Sequence, residues 1–167
     1  MEYRRLREAD LNSYYNHRLE ALREAPTAFL TTYDEEVTRG NSHFAATLTH
    51  EGNDRVIFGA FSGKALMGSI GVVHEDRPKT YHKAAIWGMY VDAEARGKGV
   101  GGRLLDMAIE HVRLSGRAAA IYLSVEASNK AALKLYESKG FRSWGTEPLA
   151  MRFEGRDFDE CHMILKL

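Results

Sequence analysis

The chain is poor in residues that would cross-link it or carry it into a membrane. Cys161 is its only cysteine in 167 residues, which excludes an internal disulfide and fits a reducing compartment; the cytoplasm is the expected location. No apolar run approaches the roughly 20 residues of a membrane span. The opening Met-Glu-Tyr-Arg-Arg-Leu-Arg-Glu lacks the apolar stretch of a secretory leader. Charge of one sign is missing as well. The 23 basic residues are matched by 23 acidic ones, so no overall field draws the chain to nucleic acid or anionic lipid, and neither is expected as a partner. The histidines show no H-x-x-x-H or H-E-x-x-H spacing, so no metal is expected. There is no G-x-S-x-G elbow, and Cys161 beside His162 reads as buried packing rather than a nucleophile.

What is present is ordinary in amount and informative in arrangement. A hydrophobic content of 44% and a charged content of 28% fit a single domain over residues 1–167. Residues Tyr3 to Arg7 read as a short strand, and Leu11 to Leu22 as a helix with Asp10 as N-cap and Pro26 closing the segment. Thr32-Tyr33-Asp34-Glu35 is a capping box that opens a second helix up to Gly40-Asn41, with a further helical stretch to about Thr49. Val56 to Phe61 and Leu66 to Val73 then form a hairpin across Ser62-Gly63-Lys64. Ala84 to Val91 is another strand, and Gly88 within it marks a bulge.

A helix follows, with Leu104, Leu105, Ala108, Ile109 and Val112 on one face and its end at Gly116. Ala119 to Val125 is almost wholly apolar and reads as a central strand. Asn129 to Lys139 is a helix stopped by Gly140. Two late strands, Phe141 to Trp144 and His162 to Leu167, flank an irregular stretch rich in Gly, Pro and Asp. The order β-α-α-β-β-β-α-β-α-β-β implies an α/β fold, a mixed sheet with helices on its faces.

Between the Ala84–Val91 strand and the next helix lies Val91-Asp92-Ala93-Glu94-Ala95-Arg96-Gly97-Lys98-Gly99-Val100-Gly101-Gly102-Arg103. Glycines here permit φ > 0 and keep side chains away from the backbone. The helix start adds unpaired N–H groups and a positive dipole end. Together these make an anion site suited to phosphate, with Arg96, Lys98 and Arg103 adding charge.

Three phosphate-binding patterns compete for it. A P-loop needs G-x-x-x-x-G-K-[ST], and Gly59 to Lys64 is one residue too short. Gly97 to Gly102 does satisfy G-x-G-x-x-G, and Glu126 falls where a ribose-binding acid belongs, so a dinucleotide-binding enzyme is one alternative. Against it, Asp92 through Arg96 separate the strand from the first glycine, and several strands precede the unit.

The third pattern is R-x-x-G-x-G read from Arg96, preceded by Tyr90-Val91-Asp92 and followed by Asn129, Tyr136 and Lys139-Gly140-Phe141. In these residues the chain resembles the GCN5-related N-acetyltransferase (GNAT) superfamily, most strongly from about Trp87 to Trp144. The resemblance implies a mixed, mostly antiparallel central sheet flanked by helices, with a splayed strand pair that binds acetyl-CoA. It assigns Arg96, Gly97, Lys98, Gly99, Val100, Gly101 and Gly102 to the pyrophosphate, and Met89, Tyr90 and Val91 to the pantetheine arm. The Val91 backbone N–H would then polarise the thioester carbonyl.

Tyr136 lies where the family often places a tyrosine beside the sulfur, a general acid; packing alone against Leu133 and Leu135 is the other reading. Asn129 is a helix cap, a pantetheine contact, or both. Glu126 is the first candidate for a base toward the amine and equally a carboxylate capping the next helix, with His74 and Glu24 behind it. The implied activity is transfer of an acetyl group from acetyl-CoA to a primary amine of a small molecule or protein, through a tetrahedral intermediate. The alternative within the family is a CoA-binding regulatory domain without turnover, and a homodimer is the family's usual assembly. Phe29, Tyr33, Phe44 and Trp87 are either pocket walls or core, and the acids Glu20, Glu24, Asp34, Glu35 and Glu36 either attract an amine or are solvated.

Overall fold

A computed structural model describes residues 1–49 and 52–167. In chain order the elements are β1 (Glu2–Arg5), α1 (Leu11–Glu24), α2 (Tyr33–Arg39), α3 (Ser42–Thr49), β2 (Arg55–Ser62), β3 (Ala65–His74) and β4 (Lys83–Val91), then α4 (Val100–Leu114), β5 (Ala120–Glu126), α5 (Lys130–Ser138), β6 (Arg142–Phe153) and β7 (Arg156–Lys166). The seven strands form one sheet in the order β1-β2-β3-β4-β5-β7-β6. Every pairing is antiparallel except β4 with β5. The mixed, mostly antiparallel sheet expected from the sequence is the sheet found.

Strand alternation sorts the core onto two faces. Along β2, Val56 and Phe58 join the cluster under α4, while Ile57 and Phe61 join the cluster under α1 and α3. Helix α4 turns Val100, Leu104, Leu105, Ala108, Ile109 and Val112 to the sheet, all buried. Fully burying one such leucine stabilises by about 1.5–3 kcal/mol, so this single helix face anchors the strand that precedes the glycine loop.

The site depends on a failure of pairing. Strand β4 pairs with β5 only at Lys83–Ala120, Ala84–Ile121 and Ala85–Tyr122. Three steps along β4, Trp87 to Tyr90, then face two steps along β3, Gly71 to Ser69. The extra residue is the predicted bulge, with Gly88 at φ 62°, and it bends β4 away from β5. Gly71 allows this: a Cβ there would lie 2.3 Å from the Trp87 ring.

Three local expectations are corrected. The first strand ends at Arg5 rather than Arg7. Asp10 makes no side-chain cap for α1. Its carboxylate instead accepts from Arg4 Nη1 and Nη2 at 2.7 Å and from the Arg7 N–H at 2.8 Å; the Arg4 hydrogen bonds hold it below the ordinary aspartate range. The stretch read as irregular before His162 is the long hairpin of β6 and β7. Pro148 and Leu149, at φ 55°, fall in a bulge between Glu147 and Met151, and Glu154-Gly155 make the turn. Proline and glycine marked a bulge and a turn there, not a loop.

Candidate active site

Backbone register aims the open edge of β4. Tyr90 stands opposite Ser69, and the Asp92 N–H donates to the Met67 carbonyl at 2.9 Å. Alternation in an antiparallel ladder then turns the Val91 N–H and C=O away from β3, toward the gap left by β5. Arg96 Nε donates to that Val91 carbonyl at 2.9 Å. The gap holds a cleft of about 570 Å³, bounded by Met89, Tyr90 and Val91 on one side and by Asn129, Leu135 and Tyr136 on the other.

The glycine loop closes one end of this cleft. Gly97 and Gly99 sit at φ 72° and 78°, and nothing lies within 4 Å of where their Cβ atoms would be. Gly99 is the N-cap of α4 and no side chain caps the helix, so the first-turn N–H groups remain available. At Gly101 a Cβ would come within 3.1 Å of Met89 Cε and 3.3 Å of Leu135 Cδ2. Glycine keeps the backbone bare where β4 and α5 approach it. Such bare amides at a helix start, continuous with an exposed strand edge, fit a diphosphate carrying a long amide-containing arm. Lys98 is exposed and is not on the cleft wall, unlike the other loop residues from Arg96 to Gly102.

Arg96 is held back rather than extended. Its Nη1 lies 2.8 Å from Glu24 Oε1, and the Tyr90 hydroxyl donates to the other oxygen of Glu24. The Tyr90 hydrogen bond, then Arg96, keeps the Glu24 carboxyl below the ordinary glutamate range, which makes it a poor proton acceptor. Burial, then Glu24, pushes the Tyr90 phenol up. The loop therefore offers an anion mainly its amides.

At the far end of the cleft Tyr136 is buried, and that burial pushes its phenol up to about 12. Among the described residues its hydroxyl has the Met89 sulfur, at 3.5 Å, as its one partner. It is a neutral O–H donor inside the cleft. Asn129 Oδ1 accepts from the Ala132 N–H at 3.1 Å and caps α5, as expected. Glu126 accepts from the Ser128 N–H and from the Ser128 hydroxyl, both at 2.8 Å.

Beside Gly88 a small cavity of about 80 Å³ shares Met89, Asn129 and Tyr136 with the cleft, and Trp87, Gly88 and Ser124 with a further cavity of about 480 Å³. Phe29, Trp87, Tyr122 and Trp144 wall this cavity, and Arg18, Ser124, Glu160 and His162 supply its polar groups. Ser124 pairs across the sheet with His162, and Ser124 Oγ lies 2.8 Å from His162 Nδ1. His162 Nε2 lies 3.0 Å from Glu147 Oε2, and Trp144 stacks on the imidazole with centroids 5.4 Å apart. Arg18 lies over Phe29 and points Nε at buried Glu36, 3.3 Å away; His43 Nε2 stands 2.9 Å from the other Glu36 oxygen.

The structure thus brings together Met89, Tyr90, Val91, Arg96, the loop glycines, Asn129 and Tyr136, and it leaves two candidates outside. His74 is buried beside His111 and Arg117 on the α4 face, where burial pushes its imidazole down. Glu24 holds Arg96. Of the aromatics, Phe29 and Trp87 reach the aromatic-walled cavity, whereas Phe44 packs edge-on to Tyr14 in the core and Tyr33 lies under Arg23. Of the acids, Glu35 completes its capping box and Glu36 is buried. Ser124, Trp144, Glu147, Glu160 and His162 escaped the sequence reading, because only the β5–β7–β6 register assembles them. Cys161 is buried with its thiol 3.3 Å from Ser143 Oγ. No helix among the described residues is long and apolar enough to cross a membrane.

Comparison with known proteins gives a cleft of this form, on a sheet of this order, a family. The family model for the acetyltransferase (GNAT) family matches residues 11–141. The chain belongs to that family. A mycothiol acetyltransferase of Acidothermus cellulolyticus is 40% identical over 96 residues, covering 58% of this chain and 27% of that one. The curated relatives matched are covered over 27% to 60% of their own length. Among solved structures, a ribosomal-protein-alanine N-acetyltransferase of Brucella melitensis superposes with TM-score 0.83 at 24% identity, over 100% of both chains. The yncA protein of Salmonella typhimurium, solved with its cofactor acetyl-CoA, gives TM-score 0.83 at 21% identity over 100% of this chain and 94% of that one. At these identities the two structures establish the fold.

Proposed function

We propose that the protein is an acetyl-CoA-dependent N-acetyltransferase that transfers the acetyl group directly to a primary amine. The observation that carries this reading is a row of adjoining cavities. The bare loop at Gly97–Gly102, the open β4 edge and Tyr136 line the first, Tyr136 and Ser124 line the second, and Ser124 and the aromatic side chains line the third. Bound acetyl-CoA supplies the activated acyl group as a thioester. The loop amides hold its diphosphate, and Val91 directs its N–H at the carbonyl oxygen as negative charge builds there. One donor of that kind is worth about 3–4 kcal/mol in other acyl-transfer enzymes. Tyr136 donates its proton to the departing sulfur. Its phenol is a weak acid, but a dry cleft that raises the phenol also raises a thiol. Glu126, engaged by Ser128 through both oxygens, holds the turn that presents Asn129 and meets a proton only through water.

The amine approaches from the aromatic-walled cavity, on the side away from the diphosphate. The names of the relatives range from a mycothiol acetyltransferase to a ribosomal-protein-alanine N-acetyltransferase, so membership of the family leaves the amine open. The test is thiol release from acetyl-CoA with a panel of amines. Turnover is expected, with Tyr136→Phe lowering kcat by about 100-fold at neutral pH while acetyl-CoA affinity stays put. Acetyl-CoA binding without transfer to any amine would favour a regulatory CoA-binding domain. A preference for NADH would favour the dinucleotide alternative.

A further inference from the structure

The aromatic-walled cavity contains a connected hydrogen-bonded path that the cleft does not use. Because β4 leaves β5 after Ala85, Ser124 on β5 has no strand beside it on that edge. It lines both the small cavity and the aromatic-walled one. From there the path runs to His162 at 2.8 Å and to Glu147 at 3.0 Å. Glu147 stands on β6 with 56% of its side chain exposed, whereas His162 keeps 24%. The path leads from the small cavity that Tyr136 also lines to solvent.

Its direction follows from the donors available. An ionised carboxylate only accepts, so His162 donates Nε2–H to Glu147 and carries its lone pair on Nδ1. The Ser124 hydroxyl therefore donates to Nδ1, and its own lone pairs face the small cavity. We propose that Ser124, His162 and Glu147 are the proton-accepting relay for the attacking amine, an inference that rests on the acetyltransferase reading. An N–H bond of the substrate ammonium breaks and a new O–H bond forms at Ser124, as the original hydroxyl proton moves to His162 Nδ1. The nitrogen retains the electron pair with which it attacks. The imidazolium left behind is balanced by Glu147, and its proton leaves to water at the cavity rim.

The surroundings support the relay and narrow the substrate. Trp144 stacks on His162 and fixes the ring plane. The groups around His162 are Glu147 and Trp144 from β6, Ser124 from β5 with Tyr122 and Glu126 one ladder pair away on the same face, and Glu160 on its own strand, with Arg18 from α1 on the wall of the same cavity. Two of these carboxylates, Glu147 and Glu160, lie with His162 in one cluster whose ligand atoms are within 4.8 Å of one another. The lone arginine on the cavity wall, Arg18, is balanced by Glu36. Aromatic walls with an acidic corner suit an ammonium on an apolar or aromatic body.

Two measurements test this. Nitrogen-15 spectra of the imidazoles in the full chain, with the His162 signal assigned by its loss in His162→Gln, should show the Nε2–H tautomer, disturbed in Glu147→Gln. An Nδ1–H tautomer would make Ser124 the acceptor of that bond and overturn the relay. In kinetics, the best acceptor among tyramine, putrescine, L-methionine and an alanine-initiated hexapeptide is the probe. Ser124→Ala and His162→Gln should each lower kcat by about 100-fold at about pH 7, with the deficit closing toward about pH 10 as the amine loses its proton unaided. Calorimetric affinity for acetyl-CoA should be unchanged in both. Wild-type kcat at neutral pH in His162→Gln, a deficit independent of pH, or a pH-sensitive deficit confined to Glu126→Gln would each overturn the relay and leave the acetyltransferase reading standing. Failure of wild type to bind acetyl-CoA or to acetylate any probe removes that reading and the relay with it.

Discussion

On one side of the β4–β5 gap the cleft is made of backbone; on the other the cavity is made of side chains. The proposed coenzyme side needs bare amides, and one short stretch from Arg96 to Gly102, with Lys98 turned out of it, supplies most of them. The cavity proposed for the acceptor draws Phe29, Trp87, Ser124, Trp144 and His162 from five separate parts of the chain. A backbone site is compact in sequence and tolerates change in nearby side chains, provided glycine stays where a Cβ would intrude. A side-chain site exists only when the ladder register is correct, since a one-residue slip in β7 would turn His162 to the opposite face.

The largest expected effect falls on the acceptor side and concerns folding. Glu36 is 1% exposed and faces both Arg18 and His43. Glu36→Gln leaves the largely buried Arg18 guanidinium without its counter-charge, and urea unfolding should show a loss of about 3–5 kcal/mol. Next comes a break confined to the coenzyme side. Gly101→Leu keeps helical backbone but pushes atoms against Met89 and Leu135. It should weaken acetyl-CoA binding by about 100-fold, about 2.7 kcal/mol, with thermal stability close to wild type. If stability falls as far as affinity, the distinction between a bare-backbone site and an ordinary packed one is lost. The smallest effect sharpens the boundary between the two. Asn129→Ala removes the cap on the Ala132 N–H and should cost about 1 kcal/mol of stability. An accompanying loss of acetyl-CoA affinity would show that Asn129 also touches the ligand.

The same contrast explains what could be read from the sequence. Gly88 marked the bulge, Thr32-x-x-Glu35 its capping box and Asn129 its cap because each acts within a few residues of itself. The glycine run at Gly97–Gly102 was legible for that reason, whereas the Arg96–Glu24 ion pair and the contact of Tyr136 with Met89 join separate elements and were not. Asp10 was misread because its partner, Arg4, lies behind it on another element, and an ion pair outcompeted the cap. The β6–β7 hairpin was misread because Pro148 and Gly155 signal interruption without saying that pairing resumes beyond it. Ser124 and His162 carry no mutual spacing rule. They are 38 residues apart and meet only because β7 returns between β5 and β6.

The central claim is that the amides of Gly97–Gly102 and the open edge of β4 together grip acetyl-CoA. Isothermal titration of acetyl-CoA into the full chain tests it most directly, run beside NADH and beside Gly101→Leu. Saturable, single-site heat is expected with acetyl-CoA and none with NADH, and the binding isotherm should flatten in Gly101→Leu. No heat with acetyl-CoA, or an isotherm untouched by Gly101→Leu, would contradict it.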